Sequence, residues 1–159
     1  MTNRVIERNS CYGPAELGYY AVGAGSHWFA KWYPSQPPRR GYKIHVTAQA
    51  GDAEIVARSV LPKLRQRRIP HKVVASLEEY ERFNRTKQAG KFITIYTRST
   101  DEAKKAHKAL EGELGMYSEY GGLTPGPLPT SRDAGHKETE IPLSGSGFIS
   151  VLFREDYRR

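Results

Sequence analysis

Tyr42-Lys-Ile-His-Val-Thr47 alternates strictly between two sets of side chains, the pattern of a half-buried β-strand. Ile44 and Val46 then point to one face, and Lys43, His45 and Thr47 to the other. An ammonium and an imidazole thus stand side by side. They are either a cation and proton-donor pair or the solvent-facing side of a strand, and the second is the commoner outcome.

Outward from this stretch the pattern stays regular. From Asp52 to Arg68, Ile55, Val56, Val60, Leu61 and Leu64 fall near helical spacing, with Pro62 expected to kink the helix. Lys72-Val-Val-Ala75 reads as a short second strand. Ser76-Leu-Glu-Glu79 is a capping box, opening a helix that ends before Gly90. Lys91-Phe-Ile-Thr-Ile-Tyr96 is the third strand. Ser99-Thr-Asp-Glu102 caps another helix, running through Ala106 and Leu110 to about Leu114. Residues 115–146, rich in Gly, Pro and Ser, are expected to form a long active loop, and Phe148-Ile-Ser-Val-Leu-Phe153 a last strand. Before Gly41, aromatic residues (Tyr12, Tyr19, Tyr20, Trp28, Trp32, Tyr33) are interleaved with Gly13, Gly18, Gly23 and Gly25 and closed by Pro34, Pro37 and Pro38. Short strands or an irregular arm fit that mixture. No repeat and no linker is evident. The expectation is one α+β domain over 1–159: a mixed or antiparallel sheet with flanking helices, an irregular N-terminal part (1–40), a core (41–114) and a C-terminal loop and strand (115–159).

The 159 residues suffice for a real core, and 38% hydrophobic with 26% charged residues is a globular composition. No apolar run approaches the roughly 20 residues of a membrane helix, and none follows the N-terminus as a secretory signal would. One cysteine, Cys11, excludes an intrachain disulfide framework and a cysteine-based zinc site. A cytoplasmic protein without membrane contact is expected. Lys and Arg total 25 against 17 acids, so an anionic partner fits: nucleic acid, an acidic peptide or a phosphorylated group.

Beyond Lys43 and His45, three places carry potential chemistry. Lys72 is either a strand-end lysine in water or a lysine desolvated among other cations, able to act as a base near neutral pH. In Asn84-Arg-Thr-Lys-Gln-Ala-Gly-Lys91, the cations Arg85, Lys87 and Lys91 either grip a phosphate or decorate a solvated turn. Phe92, Thr94 and Tyr96 share a strand face continued by Arg98; Tyr96 either orients a substrate or forms an amphipathic core edge. His107, in a helix of Lys and Glu, reads as solvated. His27, His71 and His136 lack metal-ligand spacing, Gly23-Ala-Gly25 lacks the context of a phosphate loop, and Ser144-Gly-Ser-Gly147 lacks the order of a nucleophile elbow.

Gly41-Tyr-Lys-Ile-His-Val-Thr47, Ile69-Pro-His-Lys-Val-Val74 and Gly90-Lys-Phe-Ile-Thr-Ile-Tyr96 follow one another as in the lyase domain of class III and class IV lanthionine synthetases, a domain related to the phosphothreonine lyase effectors of type III secretion. The chain resembles that family from Gly41 to about Leu114. The resemblance implies β-elimination of phosphate from phosphoserine or phosphothreonine, leaving dehydroalanine or dehydrobutyrine, with no metal or other cofactor. It implies Lys72 as general base, His45 as general acid, Lys43 as the cation beside the substrate carbonyl, and Tyr96 as a positioning group. Arg98 matches a family cation. The family's arginine before the Gly-Lys-Phe strand falls at Thr86, where neighbouring Arg85 is the preferred substitute. Arg132 and Arg154 correspond to two later arginines, separated here by a longer Gly- and Pro-containing stretch.

Such synthetases continue into a kinase and a cyclase, whereas this sequence stops at Arg159. The implied partners are therefore a phosphorylated precursor peptide, a separate Ser/Thr kinase and a cyclase acting afterwards. Two alternatives stand beside this one: an effector acting on a host kinase, for which no docking motif precedes the strands, and a non-catalytic phosphopeptide- or leader-peptide-binding subunit, which would need arginines but not Lys72 with His45. Nucleic-acid binding, suggested by the charge, Arg65-Gln-Arg-Arg68 and the aromatics, ranks last because no nucleic-acid motif is present.

Overall fold

The computed structural model describes residues 19–22, 29–34, 36–38, 40–120, 122–129, 141–142 and 148–154. Within them the strands are β1 (Tyr20–Val22), β2 (Phe29–Trp32), β3 (Gly41–Val46), β4 (His71–Val74), β5 (Ile93–Thr97), β6 (Ile141–Pro142) and β7 (Ile149–Arg154). The helices are α1 (Ala53–Gln66), α2 (Leu77–Phe83) and α3 (Thr100–Tyr120). The strands form one sheet in the order β1-β2-β4-β5-β3-β7-β6, every neighbouring pair antiparallel. This is the expected α+β architecture. β5 lies between β3 and β4, which places the two chemically richest strands one strand apart.

Alternation sorts the sheet into two faces. Ile44 and Val46 of β3, Val73 of β4, and Ile93 and Ile95 of β5 are fully buried. They share a core with Val56, Val60, Leu61 and Leu64 of α1 and with Ala106, Leu110 and Leu114 of α3. Burying a Val, Leu or Ile side chain is worth about 1.5–3 kcal/mol, and this face supplies most of the apolar burial. α1 runs through Pro62 to Gln66 because Leu61 and Leu64 bury on either side of it. Ile55, off that stripe, is exposed.

Ser76 caps α2 as expected, its hydroxyl accepting from Glu79 N at 3.1 Å. Glu79 turns its carboxylate to Arg82, 2.8 Å away. Ser99 caps α3 in the same way, accepting from Glu102 N at 3.2 Å. α1 ends in a Schellman turn: Ile69 N donates to Leu64 O and Arg68 N to Arg65 O, both at 3.0 Å, with Arg68 at φ 55°.

Of the two alternatives for the aromatic N-terminal part, short strands hold for Tyr20–Val22 and Phe29–Trp32, which extend the sheet beyond β4. Two expectations need correction. Residues 115–146 are not one loop: α3 continues to Tyr120, and Ile141–Pro142 pairs with β7. Within 115–146, residues 122–129 instead pack as a strap. Thr47 Oγ1 and Gln49 Nε2 donate to the carbonyls of Pro127 and Pro125, each at 2.8 Å. At Gly90, with φ +80°, a Cβ would collide with the Pro127 carbonyl, so only glycine fits beneath the strap. His107 is half-buried rather than solvated, its Nε2 sheltered from solvent with no hydrogen-bond partner among the described residues.

Candidate active site

The face opposite α1 and α3 carries a transverse row of residues. Lys31 of β2 lies opposite Lys72 of β4, Lys72 opposite Thr94 of β5, and Thr94 opposite His45 of β3. With strands roughly 4.8 Å apart, Lys72 and His45 are about 10 Å apart at the backbone, with Thr94 between them. One step along the strands, Tyr96 lies opposite Lys43. Strand alternation, which put Lys43 with His45 and Thr94 with Tyr96, is therefore sufficient to bring all of them to one surface.

Phe29, Lys43, His45, Lys72, Phe83, Gln88, Lys91 and Thr94 line a cavity of about 170 Å³ on this face. That is below the roughly 300–1,000 Å³ of sites for drug-sized ligands, and suits a single substituted side chain. His45 and Thr94 are each 2% exposed and Lys91 8%. Phe29 and Phe83 meet edge to face at 5.3 Å and form an apolar wall. The Lys72 ammonium lies 4.1 Å from the centroid of the Phe29 ring, a cation–π contact that fixes its position. Lys43 Nζ lies 5.9 Å from the Tyr96 ring, which meets Tyr33 edge to face at 6.1 Å. Three ammonium groups and an imidazole thus surround a small, partly desolvated space, an arrangement suited to an anion.

Of the expected residues, Lys72, His45, Lys43 and Lys91 line this cavity, and Tyr96 stands beside Lys43. Arg85 is exposed in the turn after α2. Arg98 lines a second cavity, described below, so neither arginine joins Lys72 and His45. Arg154 ends β7 opposite Gly41. Arg132 lies outside the described residues. The sequence reading missed Lys31, Phe29, Thr94, Gln88 and Phe83 as parts of the site. Thr94 was accessible to it by alternation; the others come from segments whose place in the sheet is not local information.

Behind the site, on the core face, His71 follows the opposite fate to its neighbour Lys72. Its Nδ1 donates to Ile69 O and its Nε2 accepts from the Tyr19 hydroxyl, both at 2.7 Å. Tyr19 in turn accepts from Arg65 at 3.0 Å, and Trp32 stacks on the imidazole at 5.4 Å. Burial pushes the His71 pKa down to about 4, against the opposing pull of the Ile69 carbonyl and aided by Arg65. Burial likewise pushes the Tyr19 hydroxyl up to about 12, with Arg65 acting against it.

The second cavity, about 830 Å³, lies among the turn after α1, the end of β5 and α3. Arg67, Arg68, Arg98, Lys105 and Lys108 line it together with Glu102. Among the described residues no cluster of His, Cys, Asp and Glu is arranged to hold a metal ion, and no helix is long and apolar enough to cross a membrane.

The family defined by the RamC N-terminal domain matches residues 14–121, and so spans both the row and its core. The chain belongs to that RamC N-terminal domain family. No curated protein matches the sequence. Among solved structures, the phosphothreonine lyase SpvC, an effector protein from Salmonella, superposes with a TM-score of 0.60 at 17% identity, over 89% of this chain and 71% of that one. OspF, the type III effector and phosphothreonine lyase from Shigella flexneri, gives 0.57 at 14% identity over 90% and 72%. The VirA phosphothreonine lyase effector of Chromobacterium violaceum gives 0.58 at 16% identity, over 86% of this chain and 66% of that one. At these identities the likeness is one of fold: this RamC N-terminal domain and the effectors share a sheet.

Proposed function

We propose that this domain is a phosphoserine/phosphothreonine lyase acting by β-elimination. The observation that carries it is the row Lys72–Thr94–His45 spanning a small cationic cavity. Lys72, once its ammonium has given a proton to solvent, removes the α-proton of the phosphorylated residue. The electron pair of that C–H bond becomes the Cα=Cβ double bond as the Cβ–O bond breaks. His45 gives its proton to the departing bridging oxygen, and phosphate leaves with that oxygen. An α-proton beside an amide is very weakly acidic, so Lys43 meets the charge growing on the carbonyl oxygen, while Lys91 offsets that of the phosphate. Tyr96, packed by Tyr33, holds Lys43 in place. Lys72 and His45 recover their starting states by proton exchange with solvent. Positioned acid–base groups of this kind are each worth about 10²–10⁴ in rate.

The substrate in this reading is a ribosomally made precursor peptide of a lanthipeptide-type pathway, phosphorylated by a Ser/Thr kinase activity in the cytoplasm and cyclised afterwards. Its support is the order of the three strand motifs together with the family. A host-kinase substrate fits the shared effector fold equally, and the two are separated by substrate. A phosphorylated precursor peptide and a phosphorylated kinase activation-loop peptide are incubated with the protein and weighed by mass spectrometry. Elimination leaves a product one water lighter than hydrolysis would, and Lys72→Ala removes the activity while phosphopeptide binding persists. Unchanged turnover by Lys72→Ala refutes the mechanism; binding without turnover by the native chain turns the reading to a phosphopeptide-binding subunit.

A further inference from the structure

We infer that the basic cavity between the α1 turn and α3 is a docking site for an acidic segment of the polypeptide that carries the modified residue. The inference rests on the lyase reading for the identity of that polypeptide, and on the cavity itself for the rest. Five cations, Arg67, Arg68, Arg98, Lys105 and Lys108, face one carboxylate, that of Glu102, which is engaged at 3.4 Å by Arg98 N. They come from three separate segments around about 830 Å³, more than one phosphate could fill or neutralise. The matching ligand is extended and carries several spaced anions. Ile69, Pro70 and Ala109 give the cavity an apolar floor, while among the described residues no aromatic ring lines it to stack nucleobases, which favours a peptide over a nucleic acid.

Arg68 supplies an independent observation. It occupies the left-handed position of the Schellman turn ending α1, at φ 55°, and is the only residue other than glycine with positive φ among those described. Glycine is the usual occupant of that position. An arginine there carries backbone strain that glycine would relieve. The fold therefore gives no reason for a side chain at this point, yet this one lines the cavity.

The cavity also borders the catalytic strands at one end of the sheet. Pro70 precedes Lys72 by two residues and Arg98 follows Tyr96 by two, a step of roughly 7 Å along either strand. Tyr96 N donates to Pro70 O at 2.9 Å, tying the two sites to one piece of sheet. In this proposal a peptide with its modified residue over Lys72 passes around the end of β4 and β5, and so brings residues several positions away to the α3 lysines on the other side.

Fluorescence anisotropy with an unphosphorylated, labelled Glu-rich decapeptide reads the site directly, with the matching Gln-rich peptide and an oligonucleotide of equal charge as competitors. The native chain is expected to bind the Glu peptide in preference to both, and the Lys105→Gln/Lys108→Gln variant to bind it about tenfold more weakly. Arg68→Gly is expected to weaken binding while raising the thermal midpoint, opposite directions that a merely structural arginine would not give. Steady-state turnover completes the test: with acidic flanks on a phosphopeptide, the lysine variant raises KM and leaves kcat unchanged, and with neutral flanks neither moves. Equal binding of the Glu and Gln peptides, preference for the oligonucleotide, or unaltered binding by both variants would overturn the proposal. Failure of every form to turn over phosphopeptide would overturn the lyase reading alone, because the decapeptide arm does not use the catalytic cavity.

Discussion

Thr94 has Lys72 on one side and His45 on the other, is 2% exposed, and among the described residues presents the only short hydroxyl lining that cavity. Thr94→Val keeps its shape and removes the hydroxyl. Hydrogen bonds to charged groups contribute about 1.5–3 kcal/mol, so elimination should slow roughly 10- to 100-fold with the thermal midpoint unchanged. Phosphopeptide kinetics beside a melting curve check this; full activity would reduce Thr94 to packing. At this scale the strands made much of the site legible, because alternation alone puts Lys43 with His45 and Thr94 with Tyr96. The cations of the 84–91 turn were not legible. Arg85, Lys87 and Lys91 have equal claim in one dimension, and only the path of the turn leaves Arg85 and Lys87 exposed while burying Lys91.

At the scale of the element, α2 supplies a wall of the cavity, and the strap packs against Gly90, next to Lys91. The Ser76 cap holds the first turn of α2, whose last residue, Phe83, lines the site. Ser76→Ala should cost about 1 kcal/mol, read by urea unfolding, and weaken substrate binding through Phe83 more than it changes the chemical step. Gly90→Ala faces both a left-handed backbone and the Pro127 carbonyl. It should destabilise by at least about 2 kcal/mol, or displace the strap and with it neighbouring Lys91. A melting midpoint equal to that of the native chain would show the strap to be loosely held. Both capping boxes were readable because a serine three residues before a glutamate is a local signal. The length of α3 was not. Gly112 and Gly115 weaken the helical pattern there, while buried Leu110 and Leu114 hold the helix on the sheet.

Across the whole molecule, the Arg65–Tyr19–His71 network ties the N-terminal segment, α1 and β4 together. His71 is held neutral with its pKa near 4 against an ordinary 6.5. An unfolded chain therefore takes up a proton that the folded one refuses between these values. The stability this represents is fully present above pH 6.5 and is lost as pH falls toward 4, up to about 3 kcal/mol. Urea unfolding at pH 7.5 and pH 4.5 should show the loss, and His71→Gln should flatten it; an equal slope in both would clear His71 of the effect. The order of the sheet was the least legible feature, since β5 enters between β3 and β4, and β1 and β2 join the far edge through contacts distant in sequence. The adjacency of His71 and Lys72 carries a further consequence. Slipping β4 by a single position would drive an ammonium among the apolar side chains behind the sheet and leave the imidazole facing the substrate. The penalty for interring that charge makes the misaligned form inaccessible, so the same chemistry that packs the interior also proofreads the alignment of Lys72, the base of the proposed mechanism.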